Sequence, residues 1–258
     1  MVQEKNVYII SELCGQWGGC VRRAEQMILQ SKLAGADAVK VQLWDTYRMP
    51  GDDRHKWEYL HIDKNLLKRL RDFSKNLSID FFASAFHSDR YEWLKELNIK
   101  TNKIASIVLT KNFKNLSDKM VNDNFFQKTF ISLGMWDDKK LPYDKSDKNI
   151  YFHCVPEYPH TLERALELMP DKFEEGIIHG YSDHVSGLEA CKEAVRRGAK
   201  YIEKHFTIDR SLQCKTEAAH ACSMDYNDLS ELRIFCDIER NKHREKQTET
   251  LHLRNLAK

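Results

Sequence analysis

Short apolar runs alternate with amphipathic stretches along almost the whole of this chain. Val7–Ser11 (VYIIS) is a β-rich run, and Val21–Leu33 behind it carries apolar residues at helical spacing. The pattern then repeats. The strand-like runs are Ala38–Leu43, Ile79–Ser84, Lys103–Val108, Thr129–Leu133, Ile150–Cys154, Gly176–Tyr181 and Tyr201–Lys204. The helical stretches between and after them are Asn65–Leu77, Arg90–Leu97, Asn112–Val121, Leu162–Met169, Leu188–Arg197 and Asp228–Arg240. Apolar runs bounded by turns and separated by amphipathic helices predict parallel βα units. Eight of them in about 240 residues predict an α/β fold of the closed (β/α)8 TIM-barrel type, as a single domain.

One unit is irregular. Between Met135 and Phe152 the chain is charged and broken by Pro142, so the fifth helix is expected to be one or two turns or absent. An open doubly wound sheet is the structural alternative, and it usually shows a G-x-G-x-x-G loop after its first strand. GQWGG at Gly15–Gly19 holds that place without that spacing and reads as a tight βα turn. The barrel is assigned to residues 1–241, and a polar tail to 242–258.

Composition narrows the classes. The chain has 258 residues, is 41% hydrophobic and 31% charged, and carries a net charge of +2. That suits a globular chain with a large core and lacks the basic excess of a nucleic-acid binder. The KHREK run at Lys242–Lys246 reads as a solvated helix face. No apolar run approaches the ~18 residues of a membrane span, and MVQEKNVYII has no signal-peptide h-region. Seven cysteines without a C-x-x-C pair read as reduced thiols of a cytoplasmic protein, with Cys14, Cys154 and Cys214 closest to the chemistry.

The chemistry collects where a barrel keeps its active site, at the carboxyl ends of the strands. Those ends supply Glu12, Lys40, Gln42, Ser84, Lys103, Ser106, Ser132, His153, Ser182, Asp183, His184, Glu203, Lys204 and His205. Lys40 and Lys103 sit inside apolar runs, where an ammonium group is costly to bury without an anion. Either Glu12 or Glu203 pairs with them internally, or they hold an anionic substrate such as a phosphate or carboxylate, helped by the serines. His184 and His205 end neighbouring strands, which lie about 4.8 Å apart. Two imidazoles beside a carboxylate suit a divalent metal or a shared catalytic role.

The segments AGADAVKVQ (Ala34–Gln42), KIAS (Lys103–Ser106), SLGM (Ser132–Met135), FHCVPEYP (Phe152–Pro159), GYSDHVSG (Gly180–Gly187) and GAKYIEKHFTIDR (Gly198–Arg210) together resemble the sialic acid synthase family. The resemblance runs from about Ile9 to Leu232. It implies a TIM barrel that condenses phosphoenolpyruvate with an N-acetylated amino sugar, similar to N-acetylmannosamine, into a nonulosonic acid. By position, Lys40, Ser84, Lys103, Ser106, Ser132 and Ser182 resemble the phosphoenolpyruvate-binding residues, and His184 and His205 the metal ligands. The implied ion is Mn2+, with Mg2+ or Co2+ as alternatives. Glu12 resembles a catalytic carboxylate, His205 has a catalytic as well as a ligand role, and Gln16 and Tyr158 face the sugar.

There are departures from the family pattern. Gln16-Trp17 stands for an N-H pair, Val108 replaces a glutamate expected to touch the sugar, and Pro156 replaces a serine or asparagine. The loop-eight G-P-D reads QCKTEAAHACSM, where Glu217, or else His220, stands for the aspartate. The family's C-terminal antifreeze-like domain is not expected in this chain. The implied assembly is a homodimer, or a barrel served by a separate antifreeze-like-domain protein. Two other readings remain open: a synthase with a sugar-phosphate acceptor gripped by Arg48, Arg54 and Lys56, and a non-catalytic barrel that needs a partner carrying the missing domain. No nucleic acid or membrane partner is expected.

Overall fold

A computed structural model describes residues 7–45, 58–144, 146–174, 177–212 and 218–239. Eight parallel strands close into a barrel in sequential order. They are β1 (Tyr8–Glu12), β2 (Ala38–Leu43), β3 (Asp80–Ala85), β4 (Thr101–Ile104), β5 (Lys128–Ser132), β6 (Asn149–Cys154), β7 (Gly180–Asp183) and β8 (Tyr201–His205). β8 pairs back onto β1, with Glu12 beside His205. Among the described residues the outer layer holds α1 (Val21–Leu33), α2 (Lys64–Asn76), α3 (Ser88–Glu96), α4 (Lys114–Asn122), α5 (Leu162–Leu168), α6 (Glu189–Arg196) and α7 (226–239). No helix forms between β5 and β6 among the described residues, as the Pro142-broken charged stretch predicts. The first βα connection is the expected tight turn, with Gly18 and Gly19 at φ of 58° and 73°.

Local chemistry sets the helix starts. The Asp63 carboxylate accepts the Leu66 N–H at 2.7 Å ahead of α2, and the Thr161 hydroxyl accepts the Arg164 N–H at 3.2 Å ahead of α5. Two strands differ from the sequence expectation by more than one residue. β4 begins at Thr101 and stops at Ile104, because Ser106–Leu109 wind into a 3-10 turn. β7 covers Gly180–Asp183 instead of Gly176–Tyr181, because pairing with β8 carries the strand through Ser182 and Asp183.

The barrel interior is layered. Tyr8, Phe82, Phe130, Phe152 and Tyr201 fill the lower part, with ring centroids 5.1 Å (Phe82–Phe130), 5.5 Å (Phe130–Phe152) and 5.6 Å (Phe130–Tyr201) apart. β7 meets this aromatic plug with a glycine for a steric reason. A Cβ on Gly180 would lie 2.7 Å from the Tyr201 carbonyl oxygen and 2.9 Å from Phe152 Cε1. The plug is a floor, and the polar residues of the strand ends stand on it. Among the described residues no helix is long and apolar enough to cross a membrane. The tail beyond 239, the loop bearing Arg48, Arg54 and Lys56, and Cys214 and Glu217 lie outside the described residues.

Candidate active site

Directly above the aromatic floor, Glu203 on β8 is the centre of the polar layer. Its Oε1 accepts hydrogen bonds from Lys40 Nζ and the Ser182 hydroxyl, both at 3.1 Å, and its Oε2 accepts from Lys103 Nζ at 3.1 Å. Burial works to raise this carboxyl, but the two ammonium groups outweigh it and hold Glu203 well below the ordinary carboxylate range. Lys40 also lies 2.5 Å from Glu12 Oε2. Burial works to lower Lys40, and the two carboxylates more than reverse that. Lys103 is 1% exposed and stands 4.0 Å over the Phe152 ring. It has Glu203 as its carboxylate, and burial wins there, so its proton is held less tightly than that of an ordinary lysine. The internal ion pairs allowed by the sequence are thus formed, with Glu203 as their shared anion.

Glu12 closes one side of this layer. Its Oε1 accepts the Cys14 N–H at 2.8 Å and its Oε2 accepts the Gln42 amide at 3.3 Å. The first of these contacts comes from a sharp turn, with Cys14 at φ +32°. Burial raises the Glu12 carboxyl, and repulsion from Glu203 adds to it against the pull of Lys40. The serines ring the cluster. Ser84 Oγ is 3.5 Å from Lys40 Nζ, and Ser84 is the register partner of Lys103. Ser132 ends β5 and is buried. Ser106 accepts the Gly134 N–H at 3.2 Å.

The two histidines stand at the rim, with ring centroids 5.6 Å apart. His184 Nδ1 lies 2.8 Å from the Val155 carbonyl oxygen, and His205 Nδ1 lies 3.3 Å from the Gln16 Oε1. The Val155 carbonyl can only accept, which puts the His184 proton on Nδ1 and leaves its Nε2 lone pair free, and the Gln16 amide faces the same nitrogen of His205. Burial pushes His184 down to about 4 and His205 well below the ordinary histidine range, so both rings are neutral near pH 7. Tyr158 covers them, 3.8 Å from the His184 ring and 5.7 Å from that of His205. Two neutral imidazoles at the ends of neighbouring strands fit a divalent ion. Among the described residues no third His, Cys, Asp or Glu joins them in ligand geometry.

Several sequence expectations change. Strand alternation sends His153, Asp183 and Lys204 out of the barrel, so they do not converge with the rest. His153 stacks on Tyr181, while Asp183 and Lys204 pair with each other behind the wall. His220, an alternative for the loop-eight acid, is turned onto the Thr207 hydroxyl at 3.2 Å. Gln16 is fully buried against His205. Val108 is sealed in the core. Strand-end position put Glu203 among the candidates without setting it apart, and placed Cys154 near the chemistry without a role. Cys154 sits among Lys103, Ser106 and Ser182, and burial raises its thiol to about 11.

Comparison with known proteins adds identity to this geometry. The profile of the NeuB family matches residues 27–241. An N-acetylneuraminate-9-phosphate synthase of Drosophila melanogaster is 31% identical over 88% of this chain, which spans 66% of that protein's length. An N,N'-diacetyllegionaminic acid synthase of Legionella pneumophila is 27% identical over 87% of this chain and 70% of its own. Among solved structures, an N-acetylneuraminic acid (sialic acid) synthetase from Leptospira borgpetersenii, in complex with citrate, superposes with a TM-score of 0.77 at 25% identity. That likeness covers 96% of this chain and 91% of the other.

Proposed function

This chain belongs to the NeuB family, and we propose on that footing that its barrel condenses phosphoenolpyruvate with an N-acetylated amino sugar to give a nonulosonic acid and phosphate. The observation that supports this best is the Glu203 hub. Two dry ammonium groups share one carboxylate on an aromatic floor, with hydroxyls around them and two neutral imidazoles at the rim. A dianionic or trianionic substrate has a reason to join those two ammonium groups, and a neutral one does not.

In this reading Lys40, Lys103 and the hydroxyls of Ser84, Ser106, Ser132 and Ser182 hold the phosphate and carboxylate of phosphoenolpyruvate in register, with Glu203 keeping both ammonium groups in place. The C2–C3 π pair of phosphoenolpyruvate forms the bond from C3 to the aldehyde carbon of the open-chain sugar. The carbonyl π pair moves to the aldehyde oxygen, which takes up a proton to become a hydroxyl, and positive charge develops at C2. Water adds at C2, and the adduct collapses to the C2 ketone: its new hydroxyl gives its proton to the departing phosphate as the bond from C2 to the phosphate oxygen breaks. The Glu12 carboxylate takes the proton of that water, a role that its burial-raised proton affinity suits. The chemistry that a divalent ion supplies when held at the two Nε2 atoms is Lewis-acid polarisation of the aldehyde, with Mn2+ first and Mg2+ or Co2+ as alternatives. Gln16 orients the His205 ring through its Nδ1, and Tyr158 walls the sugar side. The assembly we propose is a homodimer, and the compartment that fits phosphoenolpyruvate is the cytoplasm.

A phosphorylated acceptor is the second reading, because the Drosophila relative carries a 9-phosphate product in its name. Phosphoenolpyruvate contributes the first three carbons of such a product, so its position 9 is position 6 of the acceptor. One experiment tests both. Phosphate release is followed with phosphoenolpyruvate, Mn2+ and either N-acetylmannosamine, its 6-phosphate or a diacetamido hexose. Release with a free sugar supports the first reading, and release with the 6-phosphate alone supports the second. Absence of release across the panel refutes both and leaves the non-catalytic barrel.

A further inference from the structure

Behind the wall of β7 and β8 lies a second ionic group that the proposed reaction does not use. Asp183 and Lys204 are direct register partners, with side chains 0% and 1% exposed. Asp183 Oδ1 accepts from the Tyr181 hydroxyl at 2.8 Å and from the Val185 N–H at 3.1 Å. Its Oδ2 accepts from Lys204 Nζ and from the Cys191 thiol, the latter at 3.3 Å. Lys204 Nζ in turn donates to the Val185 carbonyl oxygen at 2.6 Å. The pair therefore holds both the N–H and the C=O of Val185.

Removing two charges from water is expensive, and a well-packed apolar pair of the same volume often serves stability as well or better. An apolar pair has no donor or acceptor for the buried Val185 peptide groups, however. What the ionic pair adds is a fixed backbone, and its position says for which atoms. Asp183 directly precedes His184, Val185 directly follows it, and Lys204 directly precedes His205. Val185 is clamped through both of its peptide groups, and the His184 ring is bonded to the Val155 carbonyl oxygen, so His184 is held at its backbone and at its ring. The same ammonium group ties the end of β8 to that clamp.

We infer that Asp183 and Lys204 are positioning residues that set the spacing and aim of the His184 and His205 imidazoles for a divalent ion. The inference rests on the reading of those histidines as metal ligands. It differs from a stability role in predicting an effect on the metal and none on the anion subsite, whose lysines point into the barrel.

The test uses the whole chain as Asp183→Asn/Lys204→Met, which leaves no lone buried charge. Mn2+ affinity is read from the paramagnetic resonance of the free ion, and Co2+ geometry from its visible absorption. Phosphoenolpyruvate binding to the metal-free protein is read by calorimetry. The expected result is roughly a 10- to 100-fold loss of Mn2+ affinity with a changed Co2+ band, as for outer partners of metal ligands generally. Phosphoenolpyruvate affinity is expected to stay as in the unmodified protein, and Lys204→Arg to retain most of the metal affinity. If that double variant does not fold, Asp183→Leu/Lys204→Met, which also leaves no lone buried charge and removes both Val185 contacts, carries the same expectation. An unchanged Mn2+ affinity and Co2+ band, in a protein whose Mn2+ binding is lost on His205→Ala, overturns this inference alone. An unmodified protein that does not bind Mn2+, or a His205→Ala variant that binds it undiminished, overturns the ligand reading and this inference with it.

Discussion

Lys103→Met separates the two roles that a buried lysine can have here. The ammonium group is 1% exposed, 3.1 Å from Glu203 Oε2 and 4.0 Å over Phe152. Breaking a buried ion pair normally costs about 3–5 kcal/mol, because a charge is left alone. Glu203 is not left alone, since Lys40 and Ser182 keep their bonds to it at 3.1 Å. Methionine fills nearly the same volume, and the desolvation of one ammonium group disappears. The expected loss of stability is therefore the smaller figure of about 1–2 kcal/mol. The effect on phosphoenolpyruvate is larger. Unit charges 4 Å apart interact by about 4 kcal/mol at an effective dielectric constant near 20. Part of that is already committed to Glu203, which leaves about 2–3 kcal/mol, or roughly a 30- to 150-fold weaker affinity. Calorimetric titration of phosphoenolpyruvate into the metal-loaded protein measures it, beside urea denaturation for stability. If Lys103 is only a counter-ion for Glu203, the urea midpoint shifts and phosphoenolpyruvate affinity stays put. That outcome would falsify the anion-site assignment.

Three further changes probe the rest of the site and its supports. Glu12→Gln keeps a side-chain oxygen for the Cys14 N–H but cannot take a proton, so kcat for phosphate release should fall by about 10²–10⁴ with little change in phosphoenolpyruvate affinity; an unaltered kcat refutes the role. Gly180→Ala drives a methyl group into Tyr201 and Phe152 and should lower stability by about 1–3 kcal/mol, read from urea midpoints. His153 is held down to about 4 by burial, with the His160 charge adding to it. Its unfolded value is near 6.5, so the unfolded chain binds the proton more readily. Its contribution is complete above pH 6.5 and is lost as pH falls toward 4, by up to about 3 kcal/mol. His153→Phe keeps a ring against Tyr181 and should flatten that part of the pH dependence of the urea midpoint; a slope identical to the unmodified protein's contradicts the assignment.

The barrel was readable because each βα unit repeats one physical pattern. Strands buried on both faces appear as unbroken apolar runs, and a lysine or glutamate inside such a run marks the polar layer. That signal found Lys40, Lys103 and the two terminal histidines. It failed at β4, where Ile107, Val108 and Leu109 are as apolar as a strand but turn in a 3-10 helix, with Val108 and Leu109 in the core. Apolarity reports burial and is blind to the backbone path that achieves it. It failed at β7 for the opposite reason. Ser182 and Asp183 have low strand preference alone, yet pairing with Glu203 and Lys204 makes them strand. Ile177, which looked like the start of that strand, is half exposed.

The remaining misses share one cause, and the period of two along a strand contains the remedy. Reading SDH and EKH as clusters puts six groups in one place. Alternation divides them: Ser182 and Glu203 face in with the strand-end histidines, while Asp183 and Lys204 face out. The inward members form the site, and the outward members form an ion pair of their own, sealed from water. Asp183 has its partner Lys204 on the neighbouring strand at the same level, whereas Glu203 takes Lys40 of β2 and Lys103 of β4 across the barrel interior, so neither group is left to neutralise the other layer. In the proposed reaction that separation lets the inner cluster take up a substrate anion beside Glu203 without loosening the backbone that carries the histidines. It also explains why Glu203 could not be ranked from the sequence. Its importance comes from Lys40 and Lys103, which are 163 and 100 residues away along the chain and meet it only when β8 closes onto β1.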